Sequence, residues 1–277
     1  MFDNIIGHNI QKEVLENVIT SNNVFHAYLF SGQKGIGKSS LAREFAKKLL
    51  NTNNLETCPD YKYIFKDAEK KDISVEQIRK NIIDDVYILP VAGDRKVYII
   101  DDGENLNKAS QNALLKTLEE PPKYITIIII SSGVSNFLPT ITSRVSEISF
   151  NKIDDDLLEK YIKEKYDTLL EKNIIKFFNG SLGLAVEFIS KNEIDKIKEV
   201  DKLYNYILNK NVVDAFQIIQ NIDFSNEHIL DYFEYIFFSM EKYQIIKYVE
   251  KARSRLKYNG NYDIVIDNML LKIIDNI

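Results

Sequence analysis

Gly32-Gln33-Lys34-Gly35-Ile36-Gly37-Lys38-Ser39 match the spacing G-x-x-x-x-G-K-S. Glycines at these intervals let the backbone wrap until several N–H groups point at one anion. A helix that starts at the last residues adds its positive end. The chemistry is phosphate binding. Gly32, Gly35 and Gly37 shape the cradle, Lys38 reaches the β- and γ-phosphates of a nucleoside triphosphate such as ATP, and Ser39 offers its hydroxyl to Mg²⁺. Ser40, the next residue, belongs to the same binding set.

A second group follows some 60 residues later. Val97–Asp102 read VYIIDD, an apolar strand that ends in two acids. Asp101 is placed to hold Mg²⁺ through water. Asp102 stands where a hydrolase needs a carboxylate to polarise the attacking water, but Asp is one methylene shorter than Glu and reaches less far. Ser131-Ser132 close another apolar run, Ile125–Ile130, and Ser132 can touch a γ-phosphate or serve only as a turn former. Arg144, in TITSR, has two uses: pairing with a carboxylate of its own chain, or acting as an arginine finger on a neighbour's nucleotide. Nothing like a catalytic triad surrounds His8 or His26, so both read as structural.

Elements able to position these residues are legible. AYLF (Ala27–Phe30), Val97–Ile100 and Ile125–Ile130 are buried strands, with one more at Ile148–Phe150. The lack of polar alternation suits parallel strands covered on both faces. Helices are expected over 8–21, with Ile10, Val14, Leu15 and Val18 on one side, and over 40–50, with Leu41, Phe45 and Leu49 on one face. Another is expected over 74–85, opened by a Ser74/Gln77 capping box, and another over Leu106–Glu120, stopped by Pro121-Pro122. Strands alternating with helices imply an α/β domain with a parallel sheet. After about Phe150 the pattern is helical, starting at Asp154–Asp156, with breaks at Asn179–Gly183, Asn209–Asn211 and Asn259–Asn261.

The chain has 277 residues, 45% of them hydrophobic and 28% charged, which describes an ordinary globular protein of about two domains. The net charge of −5 argues against a general charge-driven nucleic-acid coat. Cys58, the lone cysteine, cannot form an internal disulfide or a multi-cysteine zinc site. The amino terminus does not read as a signal peptide, and no apolar run approaches the ~18–20 residues of a membrane span. A cytoplasmic location is expected.

FDNIIGHNIQ, HAYLFSGQKGIGKSSLA, KVYIIDDGENLNKASQNALLKTLEEPP and LPTITSRV together resemble the clamp-loader branch of the AAA+ ATPases, and within it the delta-prime type of subunit of bacterial DNA polymerase III. The resemblance is strong over about 1–150, and RLKYNGNYDIVIDNMLLKI is similar to the end of that family's collar domain. It implies a RecA-like nucleotide domain (1–150), a helical lid (151–192) and an all-α collar for oligomerisation (193–277). It also implies hetero-oligomeric partners, namely the tau/gamma and delta subunits, with the sliding clamp and primed DNA engaged through the assembly. By motif match Gly32–Ser39 is the P-loop, Asp101 and Asp102 the Walker B acids, Ser132 the sensor 1 residue, and Arg144 the finger of a Ser-Arg-Cys motif that here reads Ser-Arg-Val.

Three departures bear on activity. The segment where the family carries a four-cysteine zinc module, Asn51–Tyr61, holds only Cys58, so no zinc is expected. In GSLGLAVEF the position of the family's lid arginine falls near Leu184, which cannot contact phosphate. Asp102 replaces Glu. Weak or no ATPase activity of the chain alone is therefore expected, with Arg144 acting in trans in a non-polymerising subunit of the polymerase holoenzyme. The length also favours delta-prime over tau/gamma. A motor-type subunit hydrolysing ATP itself is the alternative, and a small-molecule kinase is a more remote one.

Overall fold

The structure, a computed structural model, describes residues 1–67, 69–258 and 260–277. It divides into two compact units, Met1–Leu184 and Ala185–Ile277.

In the first unit α1 (Asn9–Thr20) leads to β1 (Ala27–Ser31), and the glycine loop joins β1 to α2 (Lys38–Leu49). Then come β2 (Tyr61–Ile64), the short α3 (Val75–Ile78), β3 (Lys96–Ile100), α4 (Lys108–Glu119), β4 (Ile125–Ser131), α5 (Pro139–Thr142) and β5 (Ser146–Ser149). The five strands form one parallel sheet in the order β2-β3-β4-β1-β5. Helices α6 (Asp155–Tyr166), α7 (Lys172–Phe178) and the start of α8 (Leu182–Ser190) complete the unit.

Side chains of the central strands alternate between two apolar layers, as period-2 geometry demands. Tyr28, Phe30, Val97, Ile99, Ile128 and Ile130 pack with Leu41 and Phe45 of α2 on one face. Ala27, Leu29, Tyr98, Ile100, Ile127 and Ile129 pack with Leu114 and Leu118 of α4 on the other. Every residue of β1, β3 and β4 is buried, which explains their unbroken apolar runs. The α/β reading of the sequence holds. Because β4 lies between β3 and β1, the connection after β1 and the connection after β4 leave in opposite directions across the sheet. That reversal opens a crevice at the carboxyl ends of β1 and β4, the usual ligand position in such sheets.

Several local expectations need correction. The helix expected over 74–85 is a four-residue α-turn followed by a turn of π-helix, Arg79–Ile83, although the Ser74/Gln77 capping box forms with both of its hydrogen bonds. Ile10 and Val14 of α1 are exposed, and only Leu15 is fully buried, because α1 presents the Leu15 and Val18 side to the core. The last strand starts two residues earlier than Ile148. Strand β2 has no counterpart in the sequence reading: Tyr-Lys-Tyr-Ile is short, half polar and at the sheet edge.

The second unit contains the rest of α8, then α9 (Ile194–Leu208), α10 (Val212–Ile219), α11 (Glu227–Ser239), α12 (Tyr243–Lys257) and α13 (Tyr262–Ile274). Its core holds an aromatic cluster in which Phe233 meets both Phe224 and Phe237, and Phe237 meets Tyr204. Arg253 of α12 clamps Asp231 and Glu234 of α11, each at 2.6 Å. The break expected at Asn209–Asn211 separates α9 from α10. Of the break expected at Asn259–Asn261, Asn259 lies outside the described residues, and Asn261 caps α13. Among the described residues no helix is long and apolar enough to cross a membrane.

Candidate functional site

The glycine loop runs out of the buried end of β1 and turns back into α2. Gly32, Gly35 and Gly37 all have positive φ, at 148°, 80° and 106°. Gly32 is pressed against backbone: a Cβ on it would lie 2.4 Å from the Phe150 carbonyl oxygen. Its N–H donates to the Ser131 carbonyl at 3.2 Å, tying the loop to the end of β4. Gly37 is the N-cap of α2, so the helix starts at Lys38 rather than at residue 40, and Lys38, Ser39 and Ser40 form its first turn. The N–H groups of a first turn have no partners within their own helix and face an incoming anion.

Lys38 is only 5% exposed. Its ammonium donates to the Gly32 carbonyl at 2.6 Å and the Gln33 carbonyl at 2.7 Å, curling back over the loop. Burial lowers its affinity for the proton, and the nearby charges of Glu104, Asp101 and Asp102 oppose that. Ser39 Oγ donates to Asp101 Oδ2 at 2.7 Å, and the Tyr63 hydroxyl donates to the same oxygen. Asp101 Oδ1 accepts the Asp102 N–H at 2.9 Å. Burial, reinforced by the bond to Asp101, raises the Tyr63 phenol well above its ordinary value. A hydroxyl beside a carboxylate is the hard oxygen set that suits Mg²⁺ held partly through water. Among the described residues no group of three His, Cys, Asp or Glu side chains forms a protein-only metal cage.

The fold thus brings Ser39 and Asp101 together across the two halves of the sequence motif. Asp102 stands beside them in left-handed backbone, φ 51°, and burial with the neighbouring Asp101 raises its carboxyl. Ser132 sits at the tip of β4, exposed, and its N–H donates to Glu104 Oε2 at 3.2 Å. Arg144 is not brought to this group. It pairs with Glu119 of its own chain at 2.9 Å and donates to the Thr140 carbonyl at 2.9 Å.

Three residues of the site were missed in the sequence, and a fourth, His8, holds the structural role expected of it. Tyr63 lies on the edge strand that was not anticipated. Glu104 follows the acids that drew attention. His8, in left-handed backbone with φ 55°, bonds its Nε2 to the Ile36 carbonyl at 2.6 Å and so supports the loop from below. Gly183 of α8 meets the glycine loop: its N–H donates to the Gly35 carbonyl at 2.8 Å. A Cβ on Gly183 would lie 3.0 Å from Gly35 Cα. The G-S-L-G spacing was the available signal, since a glycine leaves the most room for that approach.

Residues 7–154, more than half of the chain, match the family model described as DNA polymerase III, delta subunit. The DNA polymerase III subunit gamma of Buchnera aphidicola (subspecies Schizaphis graminum) is 31% identical over 220 residues, which cover 70% of this chain and 60% of that protein. The DNA polymerase III subunit tau of Escherichia coli is 33% identical over 166 residues, 55% of this chain and 26% of that protein. The chain therefore spans less than two thirds of these relatives. Among solved structures, a DNA polymerase III gamma subunit-related protein of Thermotoga maritima superimposes with a TM-score of 0.63 at 18% identity, covering 95% of this chain and 99% of that one. The RuvB Holliday junction branch migration motor of the same organism gives a TM-score of 0.51 at 20% identity, over 74% and 65%. These two establish the shared fold. With that fold and a family match over residues 7–154, the chain belongs to the DNA polymerase III delta-subunit family, within the clamp-loader AAA+ proteins.

Proposed function

We propose that the chain is a delta-prime-type subunit of the DNA polymerase III clamp loader that binds ATP weakly, hydrolyses little of it alone, and works through its partners. The observation that carries this is the pairing of Ser39 with Asp101 at the foot of a glycine loop, beside an α8 without Lys or Arg. The donors for phosphate and Mg²⁺ are in reach of one another. A second cationic clamp from α8 is not, because Leu184 stands near the family's lid-arginine position and α8 holds no Lys or Arg.

In this reading the backbone of Gly32, Gly35 and Gly37 and the first-turn N–H groups of Lys38–Ser40 hold the phosphates. Lys38 leaves the loop carbonyls for the β- and γ-oxygens, Ser39 and Asp101 hold the metal, and Ser132 contacts the terminal phosphate. Mg²⁺, when bound, neutralises phosphate charge. Asp102 is a short substitute for a water-polarising acid. Arg144 leaves Glu119 and serves a neighbouring subunit's nucleotide, where an arginine finger is worth ~10³–10⁵ in rate. The domains follow as a nucleotide-binding domain over 1–150, a lid over 151–192 and a collar over 193–277, the last joining tau/gamma and delta subunits. The clamp and primed DNA are met through that assembly, in the cytoplasm.

Relatives named gamma and tau support a second reading, a motor subunit that hydrolyses ATP itself. Two measurements separate the readings. Titration with fluorescent ATP, wild type against Lys38→Ala, tests the binding site, and equal signals refute it. ATPase of the purified chain, and of a reconstituted loader with Arg144→Ala, tests the division of labour. Robust turnover by the single chain favours the motor. An unchanged DNA-stimulated rate in the Arg144→Ala loader removes the finger.

A further inference from the structure

Glu104 has no part in the reading above, yet it lies among the groups that reading uses. It is the middle residue of the tight turn Gly103–Asn105 that follows the two acids. Gly103 fixes where it goes. A Cβ on Gly103 would lie 2.6 Å from Ile129 Cγ2 and 3.0 Å from the Ile130 carbonyl oxygen, so the turn is pressed onto the end of β4. From there the Glu104 side chain reaches the strand tip and accepts the Ser132 N–H at 3.2 Å. Of the acids around Lys38, Glu104 acts on its charge most strongly, ahead of Asp101 and Asp102. Burial favours the neutral carboxyl, but bonds from its own backbone and from Ser132 and Ser131 outweigh that and keep it ionised.

An anion therefore accepts the strand-tip N–H and acts on the charge of the loop lysine, the two donors that a terminal phosphate needs. We propose that Glu104 sets the preference between nucleoside diphosphate and triphosphate, because its carboxylate holds the Ser132 N–H and repels the charge of a third phosphate. This rests on the nucleotide-binding reading given above. A diphosphate, which ends short of the strand tip, meets little of this repulsion. A triphosphate must displace Glu104 from Ser132 and bring like charge beside it, in a half-buried setting where screening is weak.

The test is equilibrium titration of the full chain with N-methylanthraniloyl-ATP and N-methylanthraniloyl-ADP, with Mg²⁺ present. Glu104→Gln keeps the acceptor for Ser132 N–H and removes only the charge, and Glu104→Ala serves as the second variant. Lys38→Ala in each background marks specific binding. The expected result is about tenfold tighter ATP binding in Glu104→Gln, a difference of ~1.4 kcal/mol, with ADP changed by less than about threefold. Binding of ATP by Glu104→Gln where wild type shows none supports the proposal equally. If both nucleotides shift together, or neither shifts, while Lys38→Ala still abolishes binding, the proposal is overturned and the nucleotide site stands. If neither wild type nor Glu104→Gln shows Lys38-dependent binding, both fall.

Discussion

Replacing Gly32 by alanine tests the geometry of the glycine loop directly. The added methyl would lie 2.4 Å from the Phe150 carbonyl oxygen and 3.1 Å from both Ile36 Cδ1 and Phe150 Cβ. The obstructing oxygen belongs to backbone that is itself fixed, because the Phe150 N–H donates to the Ser31 carbonyl at 2.7 Å. It cannot rotate away as a side-chain tip would. Two costs add. A φ of 148° suits glycine alone, and holding an L-residue in such backbone costs about 1–3 kcal/mol. Overpacking a filled site costs about 1–3 kcal/mol more. The sum, about 2–6 kcal/mol, corresponds to a fall in melting temperature of about 4–24 °C for a unit of this size. Gly93→Ala is the matched control. It introduces the same methyl where nothing lies within 4 Å, and is expected to be neutral or slightly stabilising. Scanning calorimetry of the three proteins reads the difference. If Gly32→Ala melts within about 1–2 °C of Gly93→Ala, the close approach of the loop to Phe150 is refuted.

The other predictions concern pH and packing. Burial depresses the His8 imidazole below its ordinary value, aided by Lys12 and Lys38 and opposed by the Ile36 carbonyl. The folded state thus favours neutral His8, so its contribution is intact above about pH 6.5 and is lost as pH falls through the folded value. Wild type should lose more melting temperature than His8→Asn between pH 7.5 and 5.5, and parallel losses would contradict this. Asp85 behaves oppositely in chemistry but alike in sign: burial pushes its carboxyl up, but bonds from Tyr98, Lys96 and Lys62 outweigh that and hold it below the usual carboxylate range. Its stabilisation is present above about pH 4 and fades as pH falls further. The gap in melting temperature between wild type and Asp85→Asn should close in acid. In the second unit Phe233→Ala removes a fully buried ring from between Phe224 and Phe237, and should cost about 3–5 kcal/mol by urea unfolding. Arg144→Ala breaks a pair whose acid is half-exposed, and should leave the melting temperature of the isolated chain nearly unchanged, since such pairs contribute about 0–1 kcal/mol.

Strands with unbroken apolar runs declared themselves in the sequence, since burial on both faces demands such runs. So did the glycine loop, whose spacing has few other uses, and the caps at Ser74 and Asp154, whose side chains serve their own backbone. What stayed hidden depends on contacts distant in sequence. Tyr-Lys-Tyr-Ile becomes a strand only because β3 offers it an edge, and Tyr63 reaches Asp101 only as a result. Glu104 looks like any turn acid until Gly103 presses that turn against β4. The helix expected over 74–85 carried the correct cap, and Ile78 and Ile82 of that segment are buried. Nothing in the residue types announced that its second half would wind more loosely. Gly183 meets the loop through its backbone, a contact that no side-chain pattern announces.

The strand order also governs what happens while the chain is being made. β1 carries the glycine loop, but its neighbours in the sheet are β4 and β5, and Ala27 pairs with Ile127, ~100 residues further along. At synthesis rates of roughly 5–20 residues per second, the segment AYLFS waits about 5–20 seconds with both edges unpaired before its first partner leaves the ribosome. During that interval five residues destined for complete burial have no sheet to enter. The nascent amino-terminal portion is therefore a stretch that a chaperone can shield during that interval, and a pause in translation before Ser131 would lengthen its exposure.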